Sequence, residues 1–191
     1  MRTTVFSTPL LTPMLRFVAL GVLKIVGWKA IGTELKNPRF VLIGAPHTSN
    51  WDFVLMLLVI LKLRLQVYWM GKHTLFSFPF GGFMKWLGGI SVNRNQPYNV
   101  VRDIVRQYKN NESLIVIISP KGTRKKVEKW KTGFYHIATN ANVPILLGYV
   151  DASRKEAGIA DLFHSSGELE KDMAEIQNFY ADKKGINPEN A

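Results

Sequence analysis

The sequence predicts an α/β fold: a single domain with a mixed, mostly parallel central sheet flanked by helices, plus an N-terminal amphipathic helix. Three observations predict it. Strand-like and helix-like segments alternate between residues 39 and 150, as they do when strands are joined by helical crossovers. Leu114–Ser119 reads as a buried strand, apolar along nearly its whole length. The chain has 191 residues, 47% of them apolar and none a cysteine, which suffices for one core without disulfides.

The elements follow in order. Thr12 is a plausible N-cap, Pro13 suits the first helical position and Gly27 marks the stop. Between them Met14, Leu15, Val18, Val22, Ile25 and Val26 keep helical spacing, interrupted by Arg16 and Lys24. About 15 residues make a helix of about 22 Å, too short to cross a bilayer core of about 30 Å. The segment reads as a helix lying in one leaflet, with Trp28 and Lys29 near the headgroups. Packing on the domain core is the other reading. No signal-peptide cleavage pattern is present.

Arg39–Ala45 is then a strand and Trp51–Leu63 a helix, whose apolar run Phe53–Leu61 is again too short to span a membrane. Gln66–Met70 is a short strand, Phe78–Leu87 a helix ended by Gly88-Gly89, and Ile90–Asn93 a strand. Tyr98–Lys109 is helical by the spacing of Val101, Ile104, Val105 and Tyr108. After the buried strand come a helix over Lys131–Asn140, a strand over Val143–Val150 and a polar helix over Glu168–Asp182. There is no internal repeat or long linker, so the division is residues 1–30 as a helical segment and 31–191 as one domain.

The net charge of +11 is uneven: residues 1–150 carry 20 Lys/Arg and 5 Asp/Glu, residues 151–191 carry 5 and 9. A basic body suggests anionic partners, among them phospholipid headgroups, coenzyme A and acyl carrier protein. Nucleic acid is disfavoured because no zinc-finger, helix-turn-helix or RNA-binding aromatic motif is present. The four histidines show no metal-ligand spacing, and no metal is expected.

Two clusters carry chemistry. His47 and Asp52 sit five residues apart, where a strand ends and a helix begins. Within a regular helix they would point about 140° apart. They meet if His47 lies in the loop and Asp52 in the first helical turn, which builds a general base with no Ser or Cys nucleophile. Ser49 as N-cap makes Ser-x-x-Asp a capping-box variant, so Asp52 also has a purely structural reading. The second cluster, Ser119-Pro120-Lys121-Gly122-Thr123-Arg124-Lys125-Lys126, follows the buried strand. A glycine turn with hydroxyl and guanidinium groups at a strand end suits a phosphate. A solvated basic turn is the alternative. Arg94, just past Ile90–Asn93, could aim a second guanidinium at the same mouth.

In this order the pieces resemble the glycerolipid acyltransferases, the family that includes 1-acylglycerol-3-phosphate acyltransferase. The family's His-x4-Asp motif is matched by His47 and Asp52. Its Gly-x-Ile-x-x-x-Arg pattern is matched by Gly88 to Arg94, and its Val-Pro-Ile strand by Val143-Pro144-Ile145. Its Pro-Glu-Gly-Thr-Arg motif reads here Pro120-Lys121-Gly122-Thr123-Arg124. The resemblance covers about residues 35–150. It implies acyl transfer from a thioester, acyl-CoA or acyl carrier protein, to the hydroxyl of a lysophospholipid such as 1-acylglycerol-3-phosphate. No cofactor beyond that co-substrate is implied. His47 is then the base and Asp52 its orienting partner, with Arg94, Lys121, Gly122, Thr123 and Arg124 as the substrate-binding set. The expected location is the cytoplasmic face of a membrane with an anionic surface, held peripherally or monotopically. An apolar groove for the acyl chain would be lined by Phe76, Phe78, Phe80, Phe83 and Trp86, unless these form core. The departure is Lys121, where the family has glutamate. It implies a more anionic or otherwise different acceptor, or a weakly active or non-catalytic lipid-binding homologue.

Overall fold

The computed structural model describes residues 2–33, 35, 38–93 and 96–190. Among these residues are seven strands: β1 (Lys29–Ile31), β2 (Arg39–Ala45), β3 (Val67–Lys72), β4 (Gly89–Val92), β5 (Leu114–Ile118), β6 (Ile145–Asp151) and β7 (Glu156–Phe163). They form one sheet in the order β1-β7-β6-β2-β5-β3-β4. Only the β6–β7 hairpin is antiparallel among the described pairings. The helices are α1 (Leu11–Val26), α2 (Trp51–Lys62), α3 (Gly81–Trp86), α4 (Pro97–Lys109), α5 (Gly133–Ala141) and α6 (Leu169–Tyr180).

The central strands are apolar on both faces because both are covered, which is why they read as continuous runs rather than alternations. On one face Phe40, Leu42, Ile115 and Ile117 pack with Leu23 of α1 and Leu55 and Val59 of α2. On the other, Val41, Ile43, Val116 and Ile118 pack with Ile104 and Tyr108 of α4, Phe134 and Ile137 of α5 and Ile176 of α6. The Tyr108 hydroxyl donates to the Phe40 carbonyl at 2.7 Å, which satisfies the polar tip of a fully buried ring.

This layering positions the site. The chain leaves β2 for α2 on one face and leaves β5 for α5 on the other, although β2 and β5 are neighbours. Between their carboxyl ends the two loops diverge and open a crevice, the usual ligand position in an open α/β sheet.

Three expectations need correction. Thr12 does not cap α1: its hydroxyl donates to the Val5 and Thr8 carbonyls at 2.9 and 2.8 Å, tying down the segment before the helix, which starts at Leu11. Gly27 ends that helix in the left-handed conformation, as its position implied. The helix expected over Phe78–Leu87 is shortened to Gly81–Trp86, because Ser77–Phe80 form a turn closed by the Gly81 N–H on the Ser77 carbonyl. Strands β1 and β7 were not expected from the sequence. One has three residues, and the other carries Glu156 and Asp161 on a partly exposed ribbon, so neither shows an apolar run.

Candidate active site

His47 stands in the loop after β2, and Asp52 is in the first turn of α2. The His47 Nδ1 lies 3.1 Å from Asp52 Oδ2. The same oxygen accepts the backbone N–H groups of Thr48 at 2.7 Å and Ser49 at 2.8 Å. The Ser49 hydroxyl accepts the Trp51 N–H at 3.2 Å. Asp52 therefore caps the helix and holds the imidazole at once, which makes the structural and functional readings of the sequence compatible. With Nδ1 bonded to a carboxylate, Nδ1 carries the ring proton and Nε2 keeps the lone pair. The His47 side chain is 31% exposed while Asp52 is 6% exposed, so the imidazole is reachable and its carboxylate is shielded.

Beside this loop, the turn after β5 is built on Gly122, whose φ of 63° lies in the left-handed region that glycine adopts without strain. Its N–H donates to the Ser119 carbonyl at 3.0 Å. The Thr123 hydroxyl oxygen accepts the Lys125 N–H at 3.3 Å, which leaves the hydroxyl proton to donate elsewhere. Arg124 is exposed.

Both loops rim one cavity of about 630 Å³. Its mouth is formed by His47, Asp52, Ser119, Gly122, Thr123 and Arg124. Its depth runs under α2, between Phe53, Met56 and Ile60 on one side and Leu42, Gly44, Trp69 and Gly148 of the sheet on the other. Gly44 and Gly148 are paired in register on the cavity floor. A Cβ on Gly44 would meet no heavy atom within 4 Å, so its bareness leaves usable space. At the mouth, Ser119 Oγ and Asp52 Oδ1 are buried with no hydrogen-bond partner among the described residues.

The structure thus brings together His47, Asp52, Gly122, Thr123 and Arg124. Arg94 lies outside the described residues. Lys121 is not among the residues lining the cavity; it is 5% exposed and its ammonium donates to the Asn190 carbonyl. The aromatic run is corrected as well: none of Phe76, Phe78, Phe80, Phe83 and Trp86 lines the cavity. Phe76 stacks on Trp69 at 5.8 Å, and Phe78, Phe80 and Phe83 are exposed. Phe53, Met56 and Trp69 line it instead, and a helix as apolar as α2 gave no periodicity from which to choose them. The buried Ser119 hydroxyl was passed over because it carries no spacing signal. Among the described residues, no three His, Asp or Glu side chains converge as a metal site requires.

A doubly covered α/β sheet thus carries a His–Asp pair and a basic glycine turn beside one largely apolar cavity. The Acyltransferase family model matches residues 31–146, and the chain belongs to this family. It is 31% identical over 115 residues to the 1-acyl-sn-glycerol-3-phosphate acyltransferase of Haemophilus influenzae, a match covering 56% of the chain and 46% of that protein. To the enzyme of the same name from Escherichia coli it is 29% identical over 109 residues, covering 53% and 43%. The matched segment thus spans less than half of either relative's length. The crystal structure of the 1-acyl-sn-glycerophosphate acyltransferase PlsC of Thermotoga maritima shares the fold, with a TM-score of 0.58 at 18% identity over 92% of this chain and 82% of that one.

Proposed function

We propose that the chain moves a fatty acyl group from an acyl thioester to the hydroxyl of a lysophospholipid such as 1-acylglycerol-3-phosphate, with His47 as the general base. The observation that carries this reading is the His47–Asp52 hydrogen bond at the mouth of an apolar cavity. The curated relatives are named for the same acceptor.

The chemistry follows from the atoms present. His47 Nε2 takes the acceptor's hydroxyl proton as that oxygen bonds to the thioester carbonyl carbon. The C–S bond then breaks, and the leaving thiolate recovers the proton from the imidazolium. Asp52 Oδ2 fixes the ring and offsets its transient charge. General-base help of this kind is worth roughly 10²–10⁴ in rate. The Ser119 hydroxyl, buried at the mouth, is the donor in place for the carbonyl oxygen as it gains charge. Thr123 and Arg124 hold the acceptor phosphate, and the acyl chain lies under α2. Lys121 does not line the cavity, so its charge does not obstruct the reading.

The protein works at a membrane surface. Phe17 and Ile25 of α1 and Phe78 and Phe80 before α3 are exposed, while Ala19 and Leu23 face the core. No helix among the described residues is long and apolar enough to cross a membrane, so the exposed side of α1 lies in one leaflet. The donor is acyl-CoA or acyl carrier protein, both of which suit the basic rim.

The test is acyl transfer by purified protein on anionic liposomes with a labelled acyl thioester and lysophosphatidate. Wild type turns over and His47→Ala loses roughly 10²–10⁴ of that rate. A His47→Ala protein as fast as wild type refutes the base assignment.

A further inference from the structure

We propose that Lys121 is a positioning residue that locks the His47 loop through the segment 185–190: its buried ammonium binds the Asn190 carbonyl, and the segment seats on Thr48, the neighbour of His47. The proposal rests on the reading of His47 as the base.

The contacts form a continuous path. Lys121 Nζ donates to the Asn190 carbonyl. The Asn190 N–H donates to the Asn187 carbonyl at 3.0 Å and closes a single 3₁₀ turn, Pro188–Asn190. The Asn187 N–H donates to Thr48 Oγ1 at 3.1 Å. Thr48 in turn gives its own N–H to Asp52 Oδ2 at 2.7 Å, the oxygen that holds His47. Gly185 packs so closely that a Cβ there would stand 2.5 Å from Thr48 Oγ1. The segment is also fixed at its near end. The Ala152 N–H donates to the Lys184 carbonyl at 2.8 Å, and the Lys183 ammonium sits 4.4 Å from the Phe179 ring centre. Segment 185–190 is thus tied to both loops that form the site.

The Asn190 carbonyl requires a donor at position 121. A buried ammonium is costly unless something offsets the loss of water. Burial is the largest influence and lowers the Lys121 pKa, with Lys126 adding to it and the charge of Asp52 opposing it. The Asn190 carbonyl, which accepts from the ammonium, and the charge of Asp52 oppose that cost. A glutamate in its place would present an acceptor to an acceptor carbonyl and a like charge to Asp52. Lys121 and segment 185–190 are matched, and the family's usual residue would undo the match.

The test compares wild type, Lys121→Met, Lys121→Glu, Lys121→Arg, Gly185→Ala and His47→Ala in the full chain. Hydrogen exchange is read at the amides of Thr48 and Ser49, and kcat and acceptor KM are measured with lysophosphatidate on liposomes. Losing one hydrogen bond of the lock speeds exchange at those two amides by about five- to tenfold. Misplacing the imidazole lowers kcat by roughly ten- to a hundredfold, with acceptor KM held within about threefold. Gly185→Ala gives the same signature without touching residue 121, and Lys121→Arg, which keeps a cationic donor, restores part of kcat. Unchanged exchange at Thr48 and Ser49, unchanged kcat, or a raised acceptor KM at constant kcat overturns the proposal, the last because Lys121 would then bind the acceptor. If His47→Ala turns over like wild type, the base reading fails, and the exchange measurement still decides whether Lys121 holds the loop.

Discussion

Asp52 holds the ring of His47 with the same oxygen that caps its own helix: Oδ2 takes the imidazole at 3.1 Å and the Thr48 and Ser49 amides at 2.7 and 2.8 Å. Orientation of the imidazole, the proposed base, and the start of α2 are one interaction. Asp52→Asn keeps an oxygen for the cap but removes the charge that offsets the imidazolium. It lowers kcat by roughly 10²–10⁴ and leaves KM nearly unchanged. Asp52→Ala lowers kcat as far and also loses the cap, a further destabilisation of about 1 kcal/mol. Steady-state kinetics with thermal unfolding of both variants separates the two roles. Equal melting temperatures would mean that the cap contributes nothing.

Arg124 is exposed at the cavity rim, where a guanidinium can reach a phosphate while staying solvated. Arg124→Ala raises acceptor KM by roughly ten- to a hundredfold, the value of a charge-assisted hydrogen bond of about 1.5–3 kcal/mol, with kcat changed far less. Titration of lysophosphatidate at saturating donor measures it. An unchanged KM removes Arg124 from the phosphate site.

How far the sequence reached depends on how local each signal is. Strand β5 and helix α4 were legible because apolar periodicity is a property of a few consecutive residues. The His47–Asp52 pair was legible because its spacing needs only one loop and one helical turn. Lys121 was not. Its burial depends on Asn190, 69 residues away, and a lysine in a glycine turn reads locally as solvated. The cavity lining was illegible for a related reason: α2 is apolar on nearly every side, so the residues under it are chosen by tertiary packing alone. Strands β1 and β7 are partly exposed, and polar residues on their open sides erase the apolar run.

Gly44 tests where the acyl chain lies. It sits on the cavity floor, paired with Gly148, and a side chain there would point into open space. Gly44→Leu fills part of the cavity, starting from a Cβ that meets no heavy atom within 4 Å. Each buried methylene it displaces is worth about 0.8 kcal/mol, or about fourfold in kcat/KM. Competition between long and short acyl thioesters then shifts toward the short donor. An unaltered preference places the chain elsewhere.

Membrane binding is testable on α1, where Phe17 and Ile25 are 80% and 86% exposed. Phe17→Glu with Ile25→Glu removes two side chains worth about 1.5–3 kcal/mol each on burial. Cosedimentation with phosphatidylglycerol vesicles weakens at least about tenfold, while thermal unfolding is unchanged because neither residue packs on the core. Undiminished sedimentation argues that this helix does not enter the leaflet.

Acid stability reads the anchor of α6, which supports segment 185–190 through Phe179 beneath Lys183. Asp172, 2% exposed, accepts the Tyr135 hydroxyl at 2.9 Å, the Ser166 N–H at 2.7 Å and the Ser166 hydroxyl at 2.7 Å. Burial alone pushes its pKa up, but the bonds from Ser166 and Tyr135 prevail and hold it below the ordinary 3.8. The folded state therefore binds fewer protons than the unfolded chain between the two values, and stability rises with pH there. The contribution is complete above the unfolded value and is lost as pH falls below 3.8 through the lowered one. Asp172→Asn turns one acceptor into a donor facing the Tyr135 and Ser166 donors, which costs about 1–3 kcal/mol at neutral pH. Urea unfolding at pH 7, 5 and 3 shows a wild-type advantage that is equal at the first two and shrinks at the third. A constant advantage at all three would mean that the carboxylate charge is not what fixes α6.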